Sequence, residues 1–365
     1  MRIAAFDHVR GLAAIFMIIS HIILIFGTES ALTSPIGRFM NDGLGTAPAA
    51  PVFMLLMGVF LVYPKEKPPA RMISRGVRIY LLGVVLNVFR FILPLTLALI
   101  LYPDIVRRTL NPLPYSTHEL YVEMVLMLDI LQFAGVAFIM IALMQNFIKR
   151  SWGWLVAGIA VVLVSPHLWG TGENWGIWYN LVQPLWGNAL SPVIPHDTAF
   201  PAFPWLAYPI AGIVIGKAMA SGHDESWIFN RMLPAGLFLF LGGAGYIVFG
   251  STETLGDYYR MYPGGTSMVL GFALLWTCLF MWLSHRGLFQ TTLNRLVFWS
   301  ENITLVYCVS WTLLGLSILV LGFRCYQNPW VSVVLIPIYV LLTKAATVFL
   351  MKSGIFMRGF RWFLD

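Results

Sequence analysis

Residues 6–27 read FDHVRGLAAIFMIISHIILIFG. From Gly11 to Gly27 the run is apolar except for Ser20 and His21, and it is long enough to span a bilayer as a helix. Similar stretches lie at about 49–63, 79–101, 120–146, 152–165, 204–221, 232–250, 266–284, 297–321 and 331–351. In lipid each must be helical, because hydrocarbon offers no partner for an open backbone N–H or C=O. The sequence therefore predicts an all-α, polytopic membrane protein: a single domain over residues 1–365 with about ten spans.

Composition agrees. Of 365 residues, 59% are hydrophobic and 11% charged, against about 25% charged in soluble domains. The mean hydropathy is +0.78. The net charge of +7 does not call for a nucleic-acid partner. With the N-terminus inside, 16 of the 23 Lys and Arg residues fall in inner loops and tails. Five fall outside (Arg38, Arg107, Arg108, Arg260 and Arg324), and Arg90 and Lys344 lie within spans. Such an excess orients membrane proteins, so both termini are read as cytoplasmic and the location as a bacterial-type inner membrane. Cys278, Cys308 and Cys325 sit in or beside apolar segments without paired spacing, which argues against a disulfide framework or a metal cluster. No metal is expected.

Inside the spans, ionisable groups stand out because burying them is costly. Arg10 and His21 are eleven residues apart, about three helical turns plus 20°, so they share a face roughly 16 Å apart along the axis. A neutral imidazole can take a proton from a hydroxyl or amine, or it can fasten one helix to another. Asp129, with Gln132 one turn later, reads as mid-span on the fourth helix. It can orient a histidine or form a structural ion pair with Arg90. Asp7 reads as a cap of the first helix.

Two connections are distinctive. The inner loop 64–78, PKEKPPARMISRGVR, places Arg71, Arg75 and Arg78 in one stripe, suited either to a polyphosphate or to anionic lipid. The outer loop at about 166–203 has no Lys or Arg and is rich in Trp, Gly, Pro and Asn. It reads as a lid for a sugar-like ligand or as an interfacial cap. It contains His196 beside Asp197, a pair suited to proton transfer at a membrane mouth. No Walker, GxGxxG, HExxH or GxSxG motif appears.

The opening DHVRGLAAIFMIISH resembles the first helix of the transmembrane acyltransferases, and Arg10 and His21 match the Arg–ten residues–His spacing of the acyltransferase-three family. APAAPVFMLLMGVFL resembles the second helix of that family and of the heparan-α-glucosaminide N-acetyltransferase-like branch. DILQFAGVAF, FPAFPWLAYPIAGIVIGK, YYRMYPGG and WSENITLVYCVSW resemble later segments of the heparan branch, so the likeness runs from about residue 6 to 313. The chain departs from the animal enzymes of that branch at His21, where they have Asn, and at Phe133, where Arg is usual. The resemblance implies transfer of an acetyl or short acyl group from cytoplasmic acetyl-CoA to a hydroxyl or amine of a sugar or glycoconjugate on the outer side. With that activity, the candidate catalytic residues are His21, Asp129 (unless it is only a structural partner of Arg90) and His196 (unless it is only a solvated loop residue), and the candidate donor-binding residues are Arg10, Arg71, Arg75, Arg78 and Gln132. Membrane lipid is an expected partner and a homodimer is compatible with the sequence. The alternative is a proton-coupled transporter in which His21, Asp129 and Arg90 form a relay.

Overall fold

The computed structural model describes residues 3–63, 65, 67–110, 117–187, 199–250 and 258–364. Among these there is no sheet. Ten apolar helices account for the expected spans: α1 Ala4–Phe26, α2 Ala50–Val62, α3 Pro69–Leu101, α4 Ile130–Met144 and α5 Ser151–Leu168, then α6 Ala202–Ala220, α7 Glu225–Phe249, α8 Pro263–His285, α9 Ile303–Leu321 and α10 Trp330–Lys352. Eight are long enough to cross a membrane alone, while α2 and α4 are shorter. The chain is an integral membrane protein.

The first helix is central. Some 61% of the apolar window of α1 is buried, against 17% for α5, α7 and α10, so α1 is walled by protein and those three face outward. It touches α2, α8, α9, α10 and the helix Gln290–Glu301. Close packing follows from small residues, as it must where lipid provides no hydrophobic drive between helices. At the α2–α6 crossing, a Cβ on Gly58 would lie 2.0 Å from the Pro209 carbonyl oxygen, and one on Gly212 1.9 Å from that of Leu55.

The bundle has two distinguishable ends. At one, His8 meets Ser284 at 3.2 Å, Arg10 Nε donates to Ser300 Oγ at 2.8 Å, and Arg78 donates to the Trp362 carbonyl at 3.2 Å. Both termini and the loop before α3 therefore share this terminal end. At the other, the connection after α1 pairs with the one after α9 through Gly27 and Tyr326.

Several expectations are corrected. The first helix begins at Ala4, with Ile3 at its cap position, so Asp7 is not a cap. Asp7 is instead buried one turn in, accepting from Ser300 Oγ at 2.8 Å and from Arg10 at 3.3 Å. The stretch at 120–146 is not one helix: Thr117–Leu126 ends, Met127–Asp129 leaves helical geometry, and α4 starts anew. The span expected at 297–321 divides at Asn302 between Gln290–Glu301 and α9. The outer loop is largely helical where described, through the end of α5, a 3-10 turn at Glu173–Trp178 and the helix Tyr179–Trp186. His196 and Asp197 lie outside the described residues.

The third helix carries its own irregularity. Proline has no N–H, and its ring crowds the carbonyl four residues back. Pro94 therefore cannot bond the carbonyl of Arg90, and α3 widens to a π-helical turn over Val88–Ile92. That turn sets the direction of Arg90.

Candidate active site

Two departures from regular helix meet beside His21. In the unwound stretch 127–129, exposed carbonyls would be costly in an apolar surround, and each described one has a partner. Asn87 Nδ2 donates to the carbonyls of Val125 and Met127, both at 2.8 Å. Gln132 Nε2 also donates to Met127 at 3.1 Å, and Ala199 N donates to Leu128 at 3.0 Å. Asp129 then caps α4 with an extended backbone. Its side chain accepts from Ile130 N at 2.7 Å and from the backbone N–H of Gln132, while Gln132 Oε1 accepts from Asp129 N at 3.1 Å. This reciprocal arrangement is a capping box.

The other carboxylate oxygen is equally occupied. Asp129 Oδ2 accepts from Tyr307 Oη at 2.7 Å and pairs with Arg90 Nη1. Arg90, 2% exposed, also donates Nε to Asn87 Oδ1 at 3.0 Å and lies over the rings of Phe91 and Trp311 at 4.5 and 4.7 Å. Every lone pair that Asp129 turns on these donors is unavailable to His21, and no hydrogen bond joins the two side chains among the described residues. The Asp129–Arg90 pair foreseen in the sequence is present, and it stands beside the histidine rather than behind it.

His21 is held by rings instead. Its imidazole lies 4.1 Å from the Trp311 ring, centre to centre, and meets Tyr307 edge-on at 6.3 Å. Its Nδ1 is buried without a hydrogen-bond partner among the described residues. The hydrogen-bonding capacity of that nitrogen is therefore unspent within the described residues.

Space for that molecule exists. A cavity of about 280 Å³ lies over His21, with Arg90, Asp129, Tyr307 and Trp311 in its wall. Met17, Ser20 and Leu24 of α1 continue that wall. Met127 and Ile130 flank Asp129, and the connections at the end opposite the termini add Asn41, Asp42, Gly45 and Thr46 after α1, Ala50 at the start of α2, Ala199 and Phe200 before α6, and Tyr258 and Tyr259 before α8. The volume is close to the small end of ligand pockets, about 300 Å³. Packing fixes this roof: a Cβ on Gly45 would fall 2.4 Å from Ser20 Cβ, so the π-helical segment Phe39–Leu44 sits directly on α1 beside His21.

The expected donor-binding residues do not share this cavity. Arg10 lies at the terminal end, bonded to Ser300 and Asp7 and placed over the Phe60 ring at 4.5 Å. Arg78 is engaged with Trp362, through its carbonyl and its ring at 5.2 Å. Arg75 lies over Phe138 at 5.3 Å, and Arg71 is exposed. Lys67 stands just before them; burial, then the neighbouring Arg75 and Arg71, hold its ammonium below the usual lysine range. Three cations thus crowd one corner of the terminal end. Gln132 is not among the lining residues, since its amide is spent on the capping box.

Sequence reasoning missed Asn87, Tyr307 and Trp311. Asn87 carried a signal, an amide inside an apolar span, whereas the two aromatics read as ordinary core. No group of three or more His, Cys, Asp or Glu residues suited to a metal occurs among the described residues.

A family profile for the acyltransferase domain of the acyltransferase-three type matches residues 3–352. The chain belongs to this acyltransferase family. No curated protein matches it. The match takes in the ten apolar helices described above, and the family favours acyl transfer over the transporter alternative.

Proposed function

We propose that this membrane acyltransferase moves an acetyl or short acyl group from acyl-CoA, bound at the terminal end, to a hydroxyl or amine of a sugar-like acceptor in the cavity over His21. The observation that carries the reading is an imidazole in the wall of a cavity, with no hydrogen-bond partner on its buried Nδ1, within a family that transfers acyl groups. The excess of Lys and Arg at the terminal end supports a cytoplasmic position for it in a bacterial-type inner membrane, with the cavity opening outward.

His21 takes the proton of the acceptor hydroxyl or amine as its heteroatom attacks the thioester carbonyl. The tetrahedral intermediate collapses with loss of the CoA thiolate, which recovers the proton from the imidazolium. Arg71, Arg75 and Lys67 suit the CoA phosphates, whose charge relieves their mutual repulsion. Arg78, on the same helix as Arg71 and Arg75, and Arg10, elsewhere at the terminal end, are further candidates for donor binding. Asp129 acts through position: with Gln132 it fixes the start of α4 and holds Arg90 and Tyr307 against Trp311, on which His21 rests. His196, outside the described residues, stays a candidate for proton transfer at the outer mouth.

The test is donor binding by purified protein. Acetyl-CoA should raise the melting temperature, and an Arg71→Gln/Arg75→Gln variant should lose that shift. A protein indifferent to acetyl-CoA would contradict the proposal.

A further inference from the structure

The cavity over His21 has a charge balance that bears on what it admits. Among its described lining residues the ionisable groups of fixed charge are Arg90, Asp129 and Asp42. Arg90 and Asp129 neutralise each other in a buried pair. Asp42 is exposed at the roof; its Oδ1 accepts from Asn41 Nδ2 at 2.8 Å, a neutral partner that leaves its charge intact. Arg38, one turn earlier, is exposed and does not line the cavity, and no ion pair joins the two. The rest of the roof is aromatic or uncharged: Tyr258 donates its hydroxyl to the Thr46 carbonyl at 3.1 Å, and Phe200 and Tyr259 meet edge-on at 5.2 Å. Among the described lining residues Asp42 is thus the one charge without an opposite partner, and between low-dielectric walls the field of such a charge is concentrated.

We infer that Asp42 is the charge-selecting residue of the acceptor subsite, so that the cavity takes neutral or ammonium-bearing polyols and excludes carboxylate-bearing ones. The inference rests on the proposed acceptor role of this cavity. Aromatic faces and an amide suit sugar C–H and O–H groups, and Asp42 accepts a hydrogen bond from a hydroxyl or an ammonium while repelling a carboxylate. At separations of several ångströms in a partly solvated mouth, one such charge changes occupancy by roughly tenfold between ligands of opposite sign.

The experiment reads the mouth's charge without knowledge of the natural acceptor. Leu24, 38% exposed and part of the wall one turn beyond His21, is replaced by Cys in a protein whose native cysteines are Ser. Its rates of labelling by cationic trimethylammonium-ethyl and anionic sulfonatoethyl methanethiosulfonate, each normalised to a free thiol, give a charge ratio. An Asn41→Cys variant replaces it should Leu24→Cys fail to fold. Cation labelling should lead by about tenfold, Asp42→Asn should bring the ratio towards one, and Asp42→Lys should invert it. Equal labelling, or a ratio indifferent to Asp42→Lys, overturns the inference. In parallel, labelled acetyl transfer from acetyl-CoA is measured to methyl glucoside, glucosamine and glucuronic acid. Absence of acetyl-CoA binding with the charge ratio intact would sink the acyl-transfer proposal alone; transfer to glucuronic acid as fast as to methyl glucoside would sink charge selection alone.

Discussion

At the scale of single residues, the site depends on a carboxylate that serves structure and a histidine left free of it. Asp129 takes four donors, one of them the guanidinium of Arg90. Removing one partner of a buried ion pair is costlier than replacing both, because the survivor keeps its desolvation penalty. Asp129→Ala should therefore destabilise by about 3–5 kcal/mol, while Asp129→Leu with Arg90→Met should be milder. Apparent melting temperatures in detergent decide this, and equal losses in the two variants would refute it. Tyr307→Phe removes one bond to a charged acceptor and should cost about 1.5–3 kcal/mol with the fold retained. Lys67 gives a prediction for pH. Its pKa is depressed by burial and by Arg75 and Arg71, and an anion placed among them raises it. Donor binding should thus take up protons at alkaline pH, with affinity highest below the depressed value and falling as pH rises through the range between the free and bound values. Calorimetry in buffers of different ionisation enthalpy would detect that uptake, and Lys67→Met should abolish it.

At the scale of elements, irregular backbone does the positioning. Pro94 forces the π turn that carries Arg90, and α9 must approach this turn closely: a Cβ on Gly315 would lie 2.4 Å from the Arg90 carbonyl oxygen. Gly315→Ala should push α9 away from α3, costing about 1–3 kcal/mol as overpacking and loosening Tyr307 and Trp311 from Arg90. Activity should fall more than in an alanine substitution at Leu313 on the same helix; an unchanged Gly315→Ala enzyme would contradict the account. The ten apolar helices were legible because lipid permits little else than a long apolar run. The break at 127–129 was not. Asp129 reads as a polar intrusion into a helix, and only the distant Asn87, which bonds the freed carbonyls, makes an interruption there affordable. His21 could be singled out from composition alone, whereas Tyr307 and Trp311 look like core until Asp129 and His21 are seen against them.

At the scale of the molecule, the reactive parts are divided between two ends. Cations gather beside the termini, and the cavity over His21 opens among the connections at the opposite end. On the proposed function, this division brings donor and acceptor from separate compartments to meet inside the bundle, which is a use a membrane fold offers and a soluble one does not. The central claim is that His21 performs the proton transfer, and general base catalysis by a histidine contributes typically 10²–10⁴-fold. The most direct measurement is transfer of labelled acetyl from acetyl-CoA by His21→Ala protein with native melting temperature and native donor binding. Loss of transfer by at least about a hundredfold is the predicted result; transfer at the native rate would contradict it.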